Sequence, residues 1–386
     1  YAEGKINVKL NLVLSNWNSY RDRFNTMING GDKFDIMFTD SQTYSRYVHQ
    51  GAFLDITDKV QSVTPDMYKA IPENLWEGVK VGGKIYSVPT YKDSSLTQFW
   101  YLDDTYVQKY GIDVESIKDY ATLDPAVRAI KEGEGDSFYP IKLHQGALFN
   151  GFFNNYDGLA GGLQPIGVKI DDETRTVVCT LEQEDIVEGF NWLHSWYMDG
   201  IINPDANVIT EGTKGSCFGT AQGWPAAATT WQTNEGVEKY DLTQVFGPIY
   251  TTETIQGSMN AISVNSNYKE ESLKVQQLMN TDSKFRDMCA FGVEGDHFEY
   301  VSDGVVKRLR DDWTWPSYTQ GTFFILSVTD DSDPDAYEQV KAQNEAATPS
   351  VCLGFALDIS NIQNEMANCN TVWDKYKYDL LTGASD

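Results

Sequence analysis

Residues 15–53 read SNWNSYRDRFNTMINGGDKFDIMFTDSQTYSRYVHQGAF. Tyr20, Phe24, Met27 and Ile28 fall at helical spacing, and Gly30-Gly31 supplies a stop, because glycine ends a helix without a Cβ penalty. In KFDIMFTD, residues 33–40, Phe34, Ile36 and Phe38 alternate with the period of a half-buried strand. SQTYSRYVHQGAF, residues 41–53, then reads as a short helix with Tyr44, Tyr47 and Val48 inward, ended by Gly51. Upstream, YAEGKINVKLNLVL places Ile6, Val8, Leu10, Leu12 and Leu14 on one face of a strand, so the chain is expected to begin inside a sheet. Strand and helix in alternation predict an α/β fold, with a parallel sheet and helices on its faces.

Further along, VKVGGKIYSVP (79–89) has strand formers on both sides of Gly82-Gly83, a pair able to take the positive φ angles of a tight hairpin. LTQFWYLDD (96–104) is a strand, followed by a helical TYVQKY. A longer helix is expected from Thr180, where Thr180 and Gln183 have capping-box spacing and Glu182, Glu184 and Asp185 suit the positive end of the helix dipole. Its inward face carries Ile186, Val187, Phe190, Leu193 and Tyr197, and Gly200 closes it. Two more helices run from Tyr268 to Phe291, the second capped by Asp282 and stopped by Gly292.

The bulk properties narrow the function. A chain of 386 residues suits two or three lobes rather than one core. With 30 basic and 56 acidic residues the net charge is −26, so nucleic acid and anionic membranes are poor partners, since phosphate binding needs concentrated Lys and Arg. No stretch approaches the ~18 apolar residues of a membrane span. The five cysteines (179, 217, 289, 352, 369) form no CxxC pair, although Cys352 and Cys369 could join. Aromatic residues reach 13%, which calls for a place to put flat, polar-edged rings.

Signals of catalysis are weak. The four histidines (49, 144, 194, 297) share no HxxxH or HxH spacing, so neither a metal centre nor a cofactor is expected. There is no GxSxG elbow, and GTKGSCFG (212–219) has Lys and Ser in the wrong order for a phosphate loop. Binding signals are better. In an open α/β sheet, ligands settle beyond the carboxyl ends of the strands, where this chain puts Trp17 after one strand and Asp40 after the next. Trp224 stands between Gly223 and Pro225, a turn that presents its ring. In DDWTWPSY (311–318), Trp313 and Trp315 share one face of an extended segment. For each ring two readings stand, one facing a sugar and one packed in the core.

Six stretches, in order along nearly the whole chain, carry a resemblance: WNSYRDRFNTMINGGDKFDIMFTD, GAFLDITD, VGGKIYSVPT, FNWLHSWYMDGIINPD, FGVEGDHFEYV and GFALDISNIQNEMANCNTVWDKY. The chain resembles extracellular solute-binding proteins of carbohydrate ABC transporters, and within them the Gram-positive lipoprotein subgroup with a C-terminal region of undefined function. The resemblance implies an α/β, two-lobed, periplasmic-binding-protein-like fold of type II, with hinge-linked lobes and a central cleft. It assigns residues 1–92 with 262–310 to the N-terminal lobe and 93–261 with 311–386 to the C-terminal lobe. Similar proteins carry a lipid anchor on an upstream cysteine and a further strand–helix unit before residue 1, and they run on past the closing GASD. By the same resemblance Tyr91, Lys92 and Asp93 stand near the hinge, Tyr91 offering a face and Asp93 an acceptor pair to a sugar. The rival reading pairs Lys92 with an acid elsewhere. Glu294, between Gly292 and Gly295, is a further cleft candidate.

The expected function is therefore a monomeric, non-catalytic receptor that captures an oligosaccharide and delivers it to membrane permease subunits, outside the cell and lipid-anchored. The ligand-binding residues are Trp17, Asp40, Tyr91, Asp93, Trp224, Glu294 and Trp315. A secreted glycoside hydrolase using carboxylates from Asp40, Asp93 and Glu294 is the alternative from another class. A receptor for a peptide or polyamine is the third.

Overall fold

The Gly82-Gly83 hairpin forms as its residues require. Lys80–Val81 pairs antiparallel with Lys84–Ile85, and both glycines take positive φ, 58° and 78°, the backbone twist that matches two flanking strands. The computed structural model describes every residue except 16, 163, 164, 314, 360 and 386, and the side chains of 17 and 18. Its chain forms two compact units: Tyr1–Ser94 with Thr251–Lys341 and Leu353–Asp358, and Ser95–Tyr250 with Ala342–Cys352 and Ile359–Asp386. Seven strands organise them: β1 (Ile36–Thr39), β2 (Ser87–Pro89), β3 (Leu96–Asp103), β4 (Phe218–Gln222), β5 (Tyr240–Tyr250), β6 (Met259–Ile262) and β7 (Thr348–Pro349).

In the first unit the sheet order is β1-β6-β2, and both pairings are antiparallel. This corrects the expected all-parallel sheet. β1 and β2 do run parallel to each other, but β6 arrives from far along the chain and lies between them. Thr39 and Pro89 both pair with Met259, so the carboxyl ends of β1 and β2 are level with the start of β6. Helices Trp17–Gly30 and Tyr44–His49 form as the spacing predicts. Phe24, Tyr47 and Phe53 form an aromatic core beside them. Asp282 accepts from the Phe285 amide at 2.9 Å and caps helix Ser283–Phe291, while Gly292 ends it with φ 97°.

The expected strand at 6–14 does not form. Ala2–Ile6 is a short helix, and Leu12, Val13 and Leu14 lie about half exposed. Alternation makes a segment competent for a strand, but a ladder needs a neighbour, and no described strand pairs with this one.

The second unit is built on the sheet β7-β5-β3-β4, with β5 and β4 antiparallel to β3 and β7 parallel to β5. Its core gathers Trp100, Leu102, Val127, Leu193, Trp196, Ile202 and Phe218. The helix expected from Thr180 starts later, at Glu184, and runs to Met198. Thr180 is drawn into the preceding hairpin, where its amide donates to the Pro165 carbonyl at 2.8 Å. Within that helix Trp196 is fully buried and Val187, expected inward, is exposed.

Crossings between the units fall after Ser94, Tyr250 and Lys341, with a return at Leu353–Asp358. Residues 93–94, 251–261, 311–341 and 353–358, expected in the C-terminal lobe, therefore belong to the first unit. Their reasons are local: β6 is zipped to β1 and β2, and the irregular segment 316–327 is tied down by side chains. Ser258 Oγ donates to the Tyr318 carbonyl at 2.6 Å and Asn260 Nδ2 to the Thr319 carbonyl at 2.9 Å. Arg286 donates to the carbonyls of Ser317 at 2.6 Å and Thr322 at 3.0 Å. No disulfide forms among the five cysteines, Cys352 and Cys369 included. No helix among the described residues is long and apolar enough to cross a membrane.

Candidate functional site

Each unit brings a set of candidate residues to one end of its sheet, and in each it is the end through which the chain leaves. In the first unit β2 ends at Pro89, and Thr90 to Ser94 follow directly. The Thr90 amide donates to the Ser258 carbonyl at 3.0 Å, and Ser258 Oγ to Thr90 Oγ1 at 3.0 Å, which locks the outgoing strand to the incoming one. Proline at 89 suits this place because its ring fixes φ and removes a donor at the strand end.

Tyr91 is 7% exposed. Its ring meets Phe324 edge to face, centroids 4.4 Å apart, and its carbonyl accepts from the Phe323 amide at 2.9 Å. Such an aromatic pair adds about 0.5–1.5 kcal/mol beyond the area it buries, so Tyr91 is a packing residue of the first unit as well as a candidate for the site. Lys92 forms an ion pair with the adjacent Asp93 at 2.8 Å, both half-buried. That pair places an ammonium and a carboxylate side by side, a donor and an acceptor set suited to neighbouring hydroxyls. Tyr318, 43% exposed, sits over Ser258 through its backbone.

Asp40 follows Thr39 at the same sheet end, but its carboxylate is occupied. It accepts from Arg21 Nη2 at 2.9 Å, the Gln42 amide at 3.2 Å and Thr43 Oγ1 at 3.1 Å. Burial and the nearby Asp40 charge push the Tyr20 phenol well above its ordinary pKa. The Asp40 carboxylate thus closes the turn before helix Tyr44–His49 and holds Arg21. The side chain of Trp17 lies outside the described residues. Glu294 is exposed and ion-paired with Lys284 at 2.8 Å. Trp315 packs on the cluster of Ala2, Met279, Phe285 and Cys289, and Trp313 Nε1 donates to the Cys289 carbonyl at 3.0 Å.

In the second unit the start of β3 is level with the end of β4 and the end of β5, through the pairs Gln98–Gln222 and Leu96–Ile249. Gly223 follows at once, its amide donating to the Thr97 carbonyl at 3.1 Å and its carbonyl accepting from Gln343 Nε2 at 3.1 Å. Trp224 is therefore presented at the entry end of this sheet, half-buried, on a turn closed by the Ala227 amide donating to its carbonyl at 2.9 Å. A side chain at Gly223 would strike the Trp231 ring at 2.8 Å, so glycine is needed for the turn to pass. Trp231 itself stacks on Tyr101, centroids 5.0 Å apart and 16° between planes, as a packed ring. Asn344 Oδ1 accepts from the Ser95 amide at 3.1 Å and its hydroxyl at 2.9 Å, fixing the first residue of the unit.

Sequence reasoning missed Phe324, Tyr318, Gln343 and Asn344. No local pattern marks them, because their partners Tyr91, Ser258, Gly223 and Ser95 lie far away along the chain. No group of His, Cys, Asp or Glu among the described residues is arranged to hold a metal ion.

Comparison with known proteins bears on this arrangement. A carbohydrate ABC transporter substrate-binding protein of Streptococcus pneumoniae is 26% identical over 401 residues, covering 100% of this chain and 79% of its own. The crystal structure of the N-glycan transport solute-binding protein NgtS from Streptococcus pneumoniae superposes with a TM-score of 0.86 at 24% identity, over 100% of this chain and 86% of that one. The same protein in complex with Man5GlcNAc matches over the same shares with a TM-score of 0.72 and 24% identity. These likenesses show the α/β fold of type II solute-binding proteins. A domain of unknown function matches residues 351–386. The bacterial extracellular solute-binding protein family matches residues 1–293, three quarters of the chain, and to that family the protein belongs.

Proposed function

We propose that this protein is the substrate-binding component of a carbohydrate ABC importer, capturing an oligosaccharide between its two units and delivering it to membrane permease subunits. One observation carries the reading: Tyr91, Lys92 and Asp93 in the first unit, and Trp224 in the second, stand at the sheet ends through which the chain passes from unit to unit. A ligand gripping both would favour a closed arrangement by its differential affinity for it. Rings stack on the apolar C–H face of a sugar while the Lys92–Asp93 pair serves its hydroxyls. Asp40, Glu294 and Trp315, engaged within the first unit, take a supporting place in this reading, and Trp17 remains a candidate. The pneumococcal relative was crystallised with Man1GlcNAc and Man5GlcNAc, so mannose-containing N-glycans are the first ligands to try.

The protein would act as a monomer outside the cell, tethered by a lipid on an upstream cysteine; fatty-acid labelling of the full-length chain tests the tether. Isothermal titration against mannosyl–GlcNAc glycans and unrelated plant and host oligosaccharides tests the function. Saturable binding of one class is expected. Failure of the folded protein to bind any of them would reject the reading.

A further inference from the structure

We infer that the first unit holds one ordered water in an interior site behind β2 and β6, bridging Asn260 and Asn280. A cavity of about 20 Å³ lies there, lined by apolar residues such as Val88 and Met279 and by Asn260, Gln276, Asn280 and Gln320. Such a volume is above the ~10–15 Å³ that one water needs. Asn260 is 5% exposed and Asn280 3%. The Oδ1 atom of each is buried and has no protein donor.

The orientation of both amides follows from their other ends. Asn260 Nδ2 donates to the Thr319 carbonyl at 2.9 Å, and Asn280 Nδ2 to the Gln276 carbonyl at 2.8 Å. Turning either amide over would set oxygen against oxygen and lose a bond, so both Oδ1 atoms stay as acceptors. Two residues that line a space of one water, each with a buried acceptor that has no protein donor, match a molecule that carries two hydrogens. The water donates one to each oxygen, and the nearby carboxamides of Gln276 and Gln320 can donate back to it. A buried cation would instead need five or more oxygens drawn close, and the apolar half of the wall has none.

The site joins three pieces distant in sequence: β6, helix Lys269–Thr281 and the segment carrying Gln320 and Gly321. Gly321 lies against it for a reason. It has φ 69°, and a Cβ there would stand 2.4 Å from the Met279 carbonyl oxygen. The water thus completes the polar seam that holds segment 316–327 beneath Tyr91.

A crystal structure of the protein at a resolution that resolves ordered solvent tests this. One density peak is expected in the cavity, at roughly 2.7–3.2 Å from both Oδ1 atoms. An empty cavity would overturn the inference, as would a peak that touches only one of the oxygens. A peak with oxygens at about 2.4 Å would overturn it in favour of a cation. In Asn280→Leu, which fills the space and removes one acceptor, the peak is expected to vanish. Its persistence at the same place would show that Asn280 does not hold it.

Discussion

Replacing Asp287 with alanine probes how the first unit keeps its irregular segment in place. The carboxylate is 1% exposed and accepts from the Ser327 amide at 2.8 Å, the Ser327 hydroxyl at 2.7 Å and the Tyr300 hydroxyl at 2.8 Å. Each hydrogen bond to a charged group is worth roughly 1.5–3 kcal/mol, but the three share one acceptor and do not add. Arg286 beside it is equally buried; burial pushes its guanidinium down, and the Asp287 charge opposes that. Removing the carboxylate leaves the Ser327 amide and hydroxyl and the Tyr300 hydroxyl without their acceptor, at roughly 1–3 kcal/mol for each buried group, while Arg286 keeps its bonds to the Ser317 and Thr322 carbonyls. Since the three do not add, a loss of about 3–5 kcal/mol is expected in the first unit, a large part of the ~5–15 kcal/mol typical of a native protein. Urea unfolding followed by tryptophan fluorescence and by amide exchange in helix Ser283–Phe291 gives the measurement, the second probe separating the units. Asp287→Asn keeps the shape and one acceptor, and both hydroxyls can rotate to accept from its new NH₂, so a smaller loss of roughly 1–2 kcal/mol is expected. An alanine variant less than about 1 kcal/mol below the parent would refute the reasoning.

Other outcomes follow from the same geometry. Trp224→Ala and Asp93→Ala should each weaken glycan binding by about tenfold or more, ~1.4 kcal/mol, while Glu294→Ala, on an exposed ion pair, should leave titration isotherms unchanged; unaltered affinity in both of the first two would remove them from the site. Without reductant, a thiol reagent should modify the exposed Cys179 and Cys369 in the native protein and all five cysteines in denaturant. Burial pushes the thiols of Cys217, Cys289 and Cys352 up and slows them further. Only three reactive thiols in denaturant would mean a disulfide after all. Burial also raises the Asp157 carboxyl above its ordinary range, against bonds from Ser350 and the Leu159 amide. A folded pKa above the unfolded one means stability falls as pH rises from the ordinary carboxylate range through the folded value. Asp157→Asn, uncharged throughout, should gain more in Tm over the parent at neutral pH than in mild acid; equal differences at both would contradict this.

Much of the local structure was legible in the residues. Gly82-Gly83 turned the hairpin, Asp282 capped its helix and Gly292 stopped it, because each effect works over four residues or fewer of backbone. The candidate site was legible only in part. Trp224 and the Tyr91–Asp93 stretch stand at sheet ends, whereas Asp40 and Glu294 turn out to be held by Arg21 and Lys284. A carboxylate's partner is a matter of distance in space, which spacing along the chain does not encode.

Alternation, helical spacing and turn glycines determined by themselves which segments could be helix or strand, and with them the α/β class. Tertiary structure alone decided that 6–14 stays unpaired, that β6 enters between β1 and β2, and that the chain crosses after Tyr250 and Lys341. The physical reason is separation: Ser258 reaches Thr90 across 168 residues. Contacts of that range depend on which surfaces remain to be covered once local structure has formed, and no short window of sequence contains both partners.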